Sequence, residues 1–86
     1  MAKVSIYTTP ICPYCVEAKR LLKKKGVAFE EIDVSRDAEL RHKMIRMAGG
    51  RMTVPQIFVD DRYIGDCDGI YALEHAGKLD ALLNPP

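Results

Sequence analysis

Apolar and polar positions change rhythm along this chain, and the changes mark its elements. Residues 3–8, KVSIYT, set Val4 and Ile6 against Ser5 and Tyr7, with β-branched or aromatic side chains at most positions, and read as a strand. Pro10 breaks it. From Pro13 to Lys25 the period lengthens to that of a helix. Cys15, Ala18 and Leu22 share one face with Leu21 beside them, while Glu17, Lys19, Lys23 and Lys24 point to water. Pro13 suits the first helical position, where its missing N–H costs nothing. Lys23 to Lys25 place positive charge against the negative end of the helix dipole, and Gly26 ends the helix.

A second strand is expected over residues 27–34, VAFEEIDV, with imperfect alternation. Ser35 is then expected to cap a second helix, with Asp37 and Glu39 in its first turn. Leu40, Met44 and Met47 carry the spacing of its buried face, and the methionines read as core filling. Gly49 and Gly50 stop that helix. Residues 55–65 read as a hairpin turning at Asp60-Asp61. Residues 69–76 read as a helix with Ile70, Leu73 and Ala76 inward, ended by Gly77, and KLDALL adds one more amphipathic turn. The order is β-α-β-α-β-β-α. A right-handed βαβ unit makes the first two strands parallel and the hairpin adds an antiparallel pair. The expected fold class is therefore α/β, a four-stranded mixed sheet with helices on both faces.

Length and composition narrow the function classes. Eighty-six residues allow one small domain, 1–86, and the mix of 48% hydrophobic and 29% charged residues is that of an ordinary globular protein. A net charge of +1 gives no reason to expect a nucleic-acid partner. The first ten residues lack the apolar stretch and cleavage site of a signal peptide, and no apolar run reaches membrane-spanning length. A cytoplasmic location without membrane attachment is expected. In that compartment a close cysteine pair is more often catalytic or metal-binding than a permanent disulfide.

Cys12 and Cys15 form such a pair, spaced C-x-x-C in TPICPYCVEA. Three readings stand. A structural zinc site needs four ligands, and only Cys67 and the isolated His42 and His75 remain to complete one. A staple across so short a loop constrains the unfolded chain little. A redox couple explains more of the surrounding residues. Cys12 falls at the N-cap of the helix that starts at Pro13, where unpaired N–H groups and the helix dipole favour thiolate over thiol. Cys15 lies one turn in on the same face, shielded but near enough to attack a disulfide on Cys12. Tyr14 offers an aromatic face beside them.

CPYC between strand and helix, TVPQIFV at 53–59 and GDCDG at 65–69 together resemble a glutaredoxin, most nearly the small bacterial dithiol type. The resemblance runs from Val4 to Leu83 and implies a thioredoxin-like fold, which agrees with the element order. It implies a glutathione-dependent thiol–disulfide oxidoreductase with Cys12 as nucleophile, Cys15 as resolving thiol and Pro13 in the active-site turn. Val54-Pro55 matches the family's cis-proline turn, which offers backbone groups to an extended substrate. Tyr14, Thr53, Val54, Pro55, Cys67 and Asp68 are the implied glutathione-binding residues. The N–H groups of Cys67 and Asp68 would take the γ-glutamyl carboxylate at a helix start, and the Asp68 side chain its ammonium group. Gln56 is expected to touch the tripeptide. Glutathione enters as co-substrate and no metal or other cofactor is expected to be bound. The implied partners are disulfide-containing or glutathionylated proteins, ribonucleotide reductase among the candidates, served by a monomer at a potential of roughly −200 to −230 mV.

Two other readings compete: a redoxin fed by thioredoxin reductase, and an iron–sulfur carrier sharing a [2Fe–2S] cluster through Cys12 and two glutathiones. The Asp68 region speaks against the first and the proline of CPYC against the second. Three positions depart from the family pattern. Asp66 and Gly69 replace the second glycine and last aspartate of a common Gly-Gly-x-Asp-Asp, and Thr9 stands where many relatives carry lysine. Asp66 is expected to weaken glutathione binding, with Arg51 or Lys19 the candidates to replace the missing lysine. Cys67 reads as a half-buried structural residue, or as a side-reactive thiol.

Overall fold

The computed structural model describes residues 2–85; Met1 and Pro86 lie outside the described residues. Four strands and four helices follow in chain order: β1 (Val4–Thr8), α1 (Pro13–Lys24), β2 (Phe29–Asp33), α2 (Ala38–Met47), β3 (Gln56–Val59), β4 (Arg62–Gly65), α3 (Cys67–His75) and α4 (Leu79–Leu83). The sheet runs β2-β1-β3-β4. β1 pairs parallel with β2, Val4 opposite Phe29, and antiparallel with β3, Val4 opposite Val59 and Ile6 opposite Ile57. β3 and β4 close as a hairpin. Asp60 and Asp61 carry φ of 50° and 65°, the positive values of a tight two-residue hairpin turn.

Because strand side chains alternate between faces, β1 and β3 feed two separate cores. Val4, Ile6, Ile57 and Val59 meet Ala18, Leu21 and Leu22 of α1, Ile70 of α3, and Leu79 and Leu83 of α4. On the other face Tyr7 and Phe58 meet Met44 and Ala48, with Val34 completing the cluster. Phe58 packs edge-on to Tyr7 at 5.4 Å between ring centroids. Full burial of a side chain this size contributes about 1.5–3 kcal/mol.

The expected element order and the layers on both faces are present, and several local expectations change. Asp37, not Ser35, caps α2: its Oδ1 accepts from Leu40 N at 3.1 Å, while Ser35 N donates to Asp33 Oδ1 at 2.8 Å. Ser35 is thus held in an Asx turn before the helix begins. α3 starts at Cys67 rather than residue 69 because Asp66 supplies its cap. Ala76 is that helix's exposed C-cap rather than a core residue. Lys19 is half-buried rather than turned to water, drawn to Glu31 of β2 at 3.0 Å. Met44 is fully buried, with Leu40 and Met47 half-buried beside it.

Candidate active site

Everything chemical gathers where β1 gives way to α1. Cys12 has extended backbone, φ −148° and ψ 101°, and is the N-cap of α1; Pro13 follows at the first helical position. The Cys12 sulfur accepts a hydrogen bond from Cys15 N at 3.1 Å. A sulfur in this place receives an N–H that the helix leaves unpaired, together with the positive end of the helix dipole. Cys12 and Cys15 are joined as a disulfide. The two are unequal: Cys12 is half-buried, and Cys15, turned toward the core with Ala18 and Leu22, is buried.

Across from them the Val54-Pro55 peptide is cis, and the Val54 carbonyl oxygen lies 3.9 Å from the Cys12 sulfur. Val54 precedes β3 and takes no part in its pairing. Gln56 is fully buried, and its Nε2 donates to Thr53 O at 2.9 Å and Thr53 Oγ1 at 3.3 Å. Gln56 therefore braces the 53–54 segment from below instead of reaching the surface, which corrects its expected contact with the tripeptide.

A cleft of about 290 Å³ opens beside the disulfide, lined by Tyr14, Thr53, Val54, Pro55, Asp66, Cys67 and Asp68. The six residues that the motifs single out as a binding group converge on it, although they come from three separate stretches of chain. Asp66 is the seventh, and its role was not visible in the sequence. Its Oδ1 accepts from Gly69 N at 2.7 Å and so caps α3. A Cβ on residue 69 would stand 3.1 Å from that same oxygen. The two family departures are therefore one local solution: the carboxylate at 66 occupies the space that the missing side chain at 69 leaves. Gly65 completes the corner. Its φ of +147° and its 3.3 Å approach to the Gly69 backbone, measured from where a Cβ would sit, put strain on any other residue here.

Cys67 is buried, and its thiol is pushed up, first by burial and then by the negative charges of Asp68, Asp66 and Glu17. Both effects disfavour the thiolate form of this sulfur. Of the two expected substitutes for a lysine at residue 9, Lys19 is ion-paired and Arg51 has no carboxylate partner among the described residues. Lys19 pairs with Glu31, whose carboxyl that ammonium, helped by the Thr8 hydroxyl, holds below its ordinary value against the opposing effect of burial. Arg51 Nη1 donates to Ala48 O at 2.9 Å, and its guanidinium lies 5.0 Å over the Tyr63 ring. Tyr71 ties α3 to α1 through its hydroxyl, which donates to Glu17 O at 3.3 Å. Ile11 and Tyr14, next to the two cysteines in the chain, are exposed apolar side chains, Ile11 to 95%, and Met52, two residues before Val54, is exposed as well.

A family model described as Glutaredoxin matches residues 4–64. Glutaredoxin 3 of Escherichia coli K12 is 53% identical over 83 residues, covering 96% of this chain and 99% of its own. The solution structure of glutaredoxin from Brucella melitensis is similar with a TM-score of 0.83 at 54% identity, over 94% of this chain and 87% of that one. The dithiolic glutaredoxin of Trypanosoma brucei brucei aligns with a TM-score of 0.84 at 36% identity, over 95% and 87%.

Proposed function

This chain belongs to the glutaredoxin family and is a glutathione-dependent thiol–disulfide oxidoreductase, and from that premise we propose that Cys12 attacks, Cys15 resolves and the adjoining cleft holds glutathione. The observation that carries the assignment is the unequal setting of the two sulfurs. Cys12 is the more accessible one and receives the Cys15 N–H. When reduced, it is the sulfur whose negative charge the helix start stabilises.

The Cys12 thiolate attacks one sulfur of a disulfide R–S–S–R′. A new S–S bond joins Cys12 to R, the old one breaks, and R′–S⁻ leaves with the electron pair and takes a proton from water. With R as glutathione, a second glutathione thiolate attacks the glutathionyl sulfur, releasing oxidised glutathione and the Cys12 thiolate. With R as a client protein, Cys15 loses its proton and attacks the Cys12 sulfur. The client leaves as a thiol and the Cys12–Cys15 disulfide remains, to be reduced by two glutathiones.

In the cleft, the N–H groups of Cys67 and Asp68 receive the γ-glutamyl carboxylate and the Asp68 carboxylate its ammonium group. The backbone of Val54 pairs with the cysteinyl segment as a short added strand. Tyr14 and Thr53 flank it, and Pro13 and Pro55 fix the two turns that face each other. The exposed rim of Ile11, Tyr14 and Met52 gives client proteins an apolar landing area. We further infer that residues 1–86 act as one monomeric domain in the cytoplasm without a bound cofactor. Among the described residues no helix is long and apolar enough to cross a membrane. Ribonucleotide reductase is a client to be tested.

Reduction of hydroxyethyl disulfide by glutathione, followed through glutathione reductase, separates the roles. Cys12→Ser should be inactive and Cys15→Ser should retain turnover with glutathione mixed disulfides. Activity in Cys12→Ser would overturn the assignment of the nucleophile.

A further inference from the structure

The cleft has an unusual charge balance for a site that must take glutathione, which carries two carboxylates and one ammonium group. Two of its lining side chains, Asp66 and Asp68, are carboxylates and none is cationic. Lys19 is paired with Glu31, and Arg51, which lies over the Tyr63 ring and has no carboxylate partner among the described residues, does not line the cleft. Asp66 is half-buried and holds one oxygen on Gly69 N, while its other oxygen makes no hydrogen bond among the described residues. One N–H donor does not cancel a full negative charge. The carboxylate also sits on the positive end of α3, offsetting the potential that an incoming carboxylate would meet there.

We propose that Asp66 is a specificity-determining residue that biases the cleft toward thiol substituents bearing a positive charge and against those bearing a carboxylate. The inference rests on the cleft being the substrate subsite, as argued above. Glutathione is then held chiefly through its ammonium group and backbone pairing. Protein disulfides flanked by lysine or arginine are favoured over those flanked by acids. The exchange chemistry at Cys12 is unchanged; the residue acts on which half of a disulfide is comfortable beside it. The raised Cys67 thiol agrees, since the charges of Asp66 and Asp68 both reach that sulfur.

The test follows the first exchange alone, with pre-reduced protein and no glutathione, by acid quench and mass. Three small disulfides are compared: cystamine, hydroxyethyl disulfide and dithiodiglycolate, which are cationic, neutral and anionic. Each rate constant is divided by that of the neutral disulfide, so intrinsic reactivity cancels between variants. Asp66→Asn keeps a capping oxygen while removing the charge. It should lower the cystamine ratio about threefold and raise the dithiodiglycolate ratio about threefold, the size of one partly exposed charge pair in each direction. Asp68→Asn, read through KM for glutathione, reports on the cleft independently. If Asp68→Asn moves that KM while Asp66→Asn leaves both ratios at wild-type values, the Asp66 inference is overturned and the cleft reading stands. If neither variant moves anything, both are overturned. Should Asp66→Asn fail to fold, the wild type decides. Raising salt from about 0.02 to about 0.5 M should lower the cystamine ratio and raise the dithiodiglycolate ratio. A flat or reversed dependence rejects the proposal.

Discussion

Replacing Gly65 with alanine should damage stability and glutathione binding together, because one residue sets the corner from which α3 departs. The backbone there has φ of +147°, a region left essentially to glycine, and holding an alanine in it costs about 1–3 kcal/mol. The new Cβ would also stand 3.3 Å from Gly69 Cα and C, atoms of the first turn of α3 that cannot swing aside as a side chain would. Relieving that overlap adds about 1 kcal/mol. The total, about 2–4 kcal/mol, lowers the melting temperature of a domain this size by roughly 8–32 °C at about 4–8 °C per kcal/mol. Gly77→Ala is the control: φ is +72° but nothing lies within 4 Å of its Cβ, so only the left-handed backbone cost of about 1 kcal/mol applies. Thermal melts followed by circular dichroism give both shifts. KM for glutathione, measured well below the transition, should rise in Gly65→Ala and not in Gly77→Ala. If Gly65→Ala melts no lower than Gly77→Ala, the close approach between residues 65 and 69 does not constrain this corner and the reasoning fails.

Phe58→Ala empties a fully buried site against Tyr7 and Tyr63 and should cost about 3–5 kcal/mol in urea unfolding; a loss below about 1 kcal/mol would contradict the packing. Glu31 has its carboxyl lowered chiefly by Lys19, so its contribution is present above the unfolded value and fades as pH falls through the folded one. Wild type should out-melt Glu31→Gln at pH 7 by the equivalent of under about 1 kcal/mol, with the gap closing below about pH 4. A gap that widens in acid would reverse the sign. Lys25 pairs with Glu74 and Asp80, first of all through the hydrogen bond to Glu74, which raises its ammonium. Its contribution is therefore held below the unfolded value and lost as pH climbs through the folded one. Melts of wild type and Lys25→Met should differ at pH 8 and converge only above the ordinary lysine value of about 10.4. In reduced Cys15→Ser protein, thiolate absorbance near 240 nm should show Cys12 ionising below the ordinary thiol range. A titration like that of a thiol in water would remove the stabilisation assigned to the helix start.

Much of the site was legible because its parts are local signals. A cysteine before a proline at a strand-to-helix junction announces its own capping geometry, and the alternation in KVSIYT and QIFV fixes which side chains enter which core. What escaped the sequence depends on partners distant in the chain or on competition between neighbours. Ser35 and Asp37 are both good caps, and only the Asx turn from Asp33 decides between them. Lys19 looked solvated because its partner Glu31 sits on another element, brought alongside by the β1–β2 pairing. Gln56 was expected to bind because it matches the family's polar residue after the proline, whereas its amide is used inside to hold Thr53. Asp66 looked like a defect in a glycine pair, and only the bond to Gly69 reveals that the two changes belong together.

β1 is completed only after the long stretch of chain between it and β3 has been made. β1 lies inside the β2-β1-β3-β4 order, so residues 4–8 stay half-bare until residues 56–59 arrive, and α3 and α4, which complete with α1 the cover over Ile6 and Ile57, come later still. A nascent chain stopped short of β3 presents an open Val4–Ile6 edge to whatever strand is near. Assembly of this domain is therefore a single late event in synthesis, and its exposure to mispairing is greatest while translation is still under way.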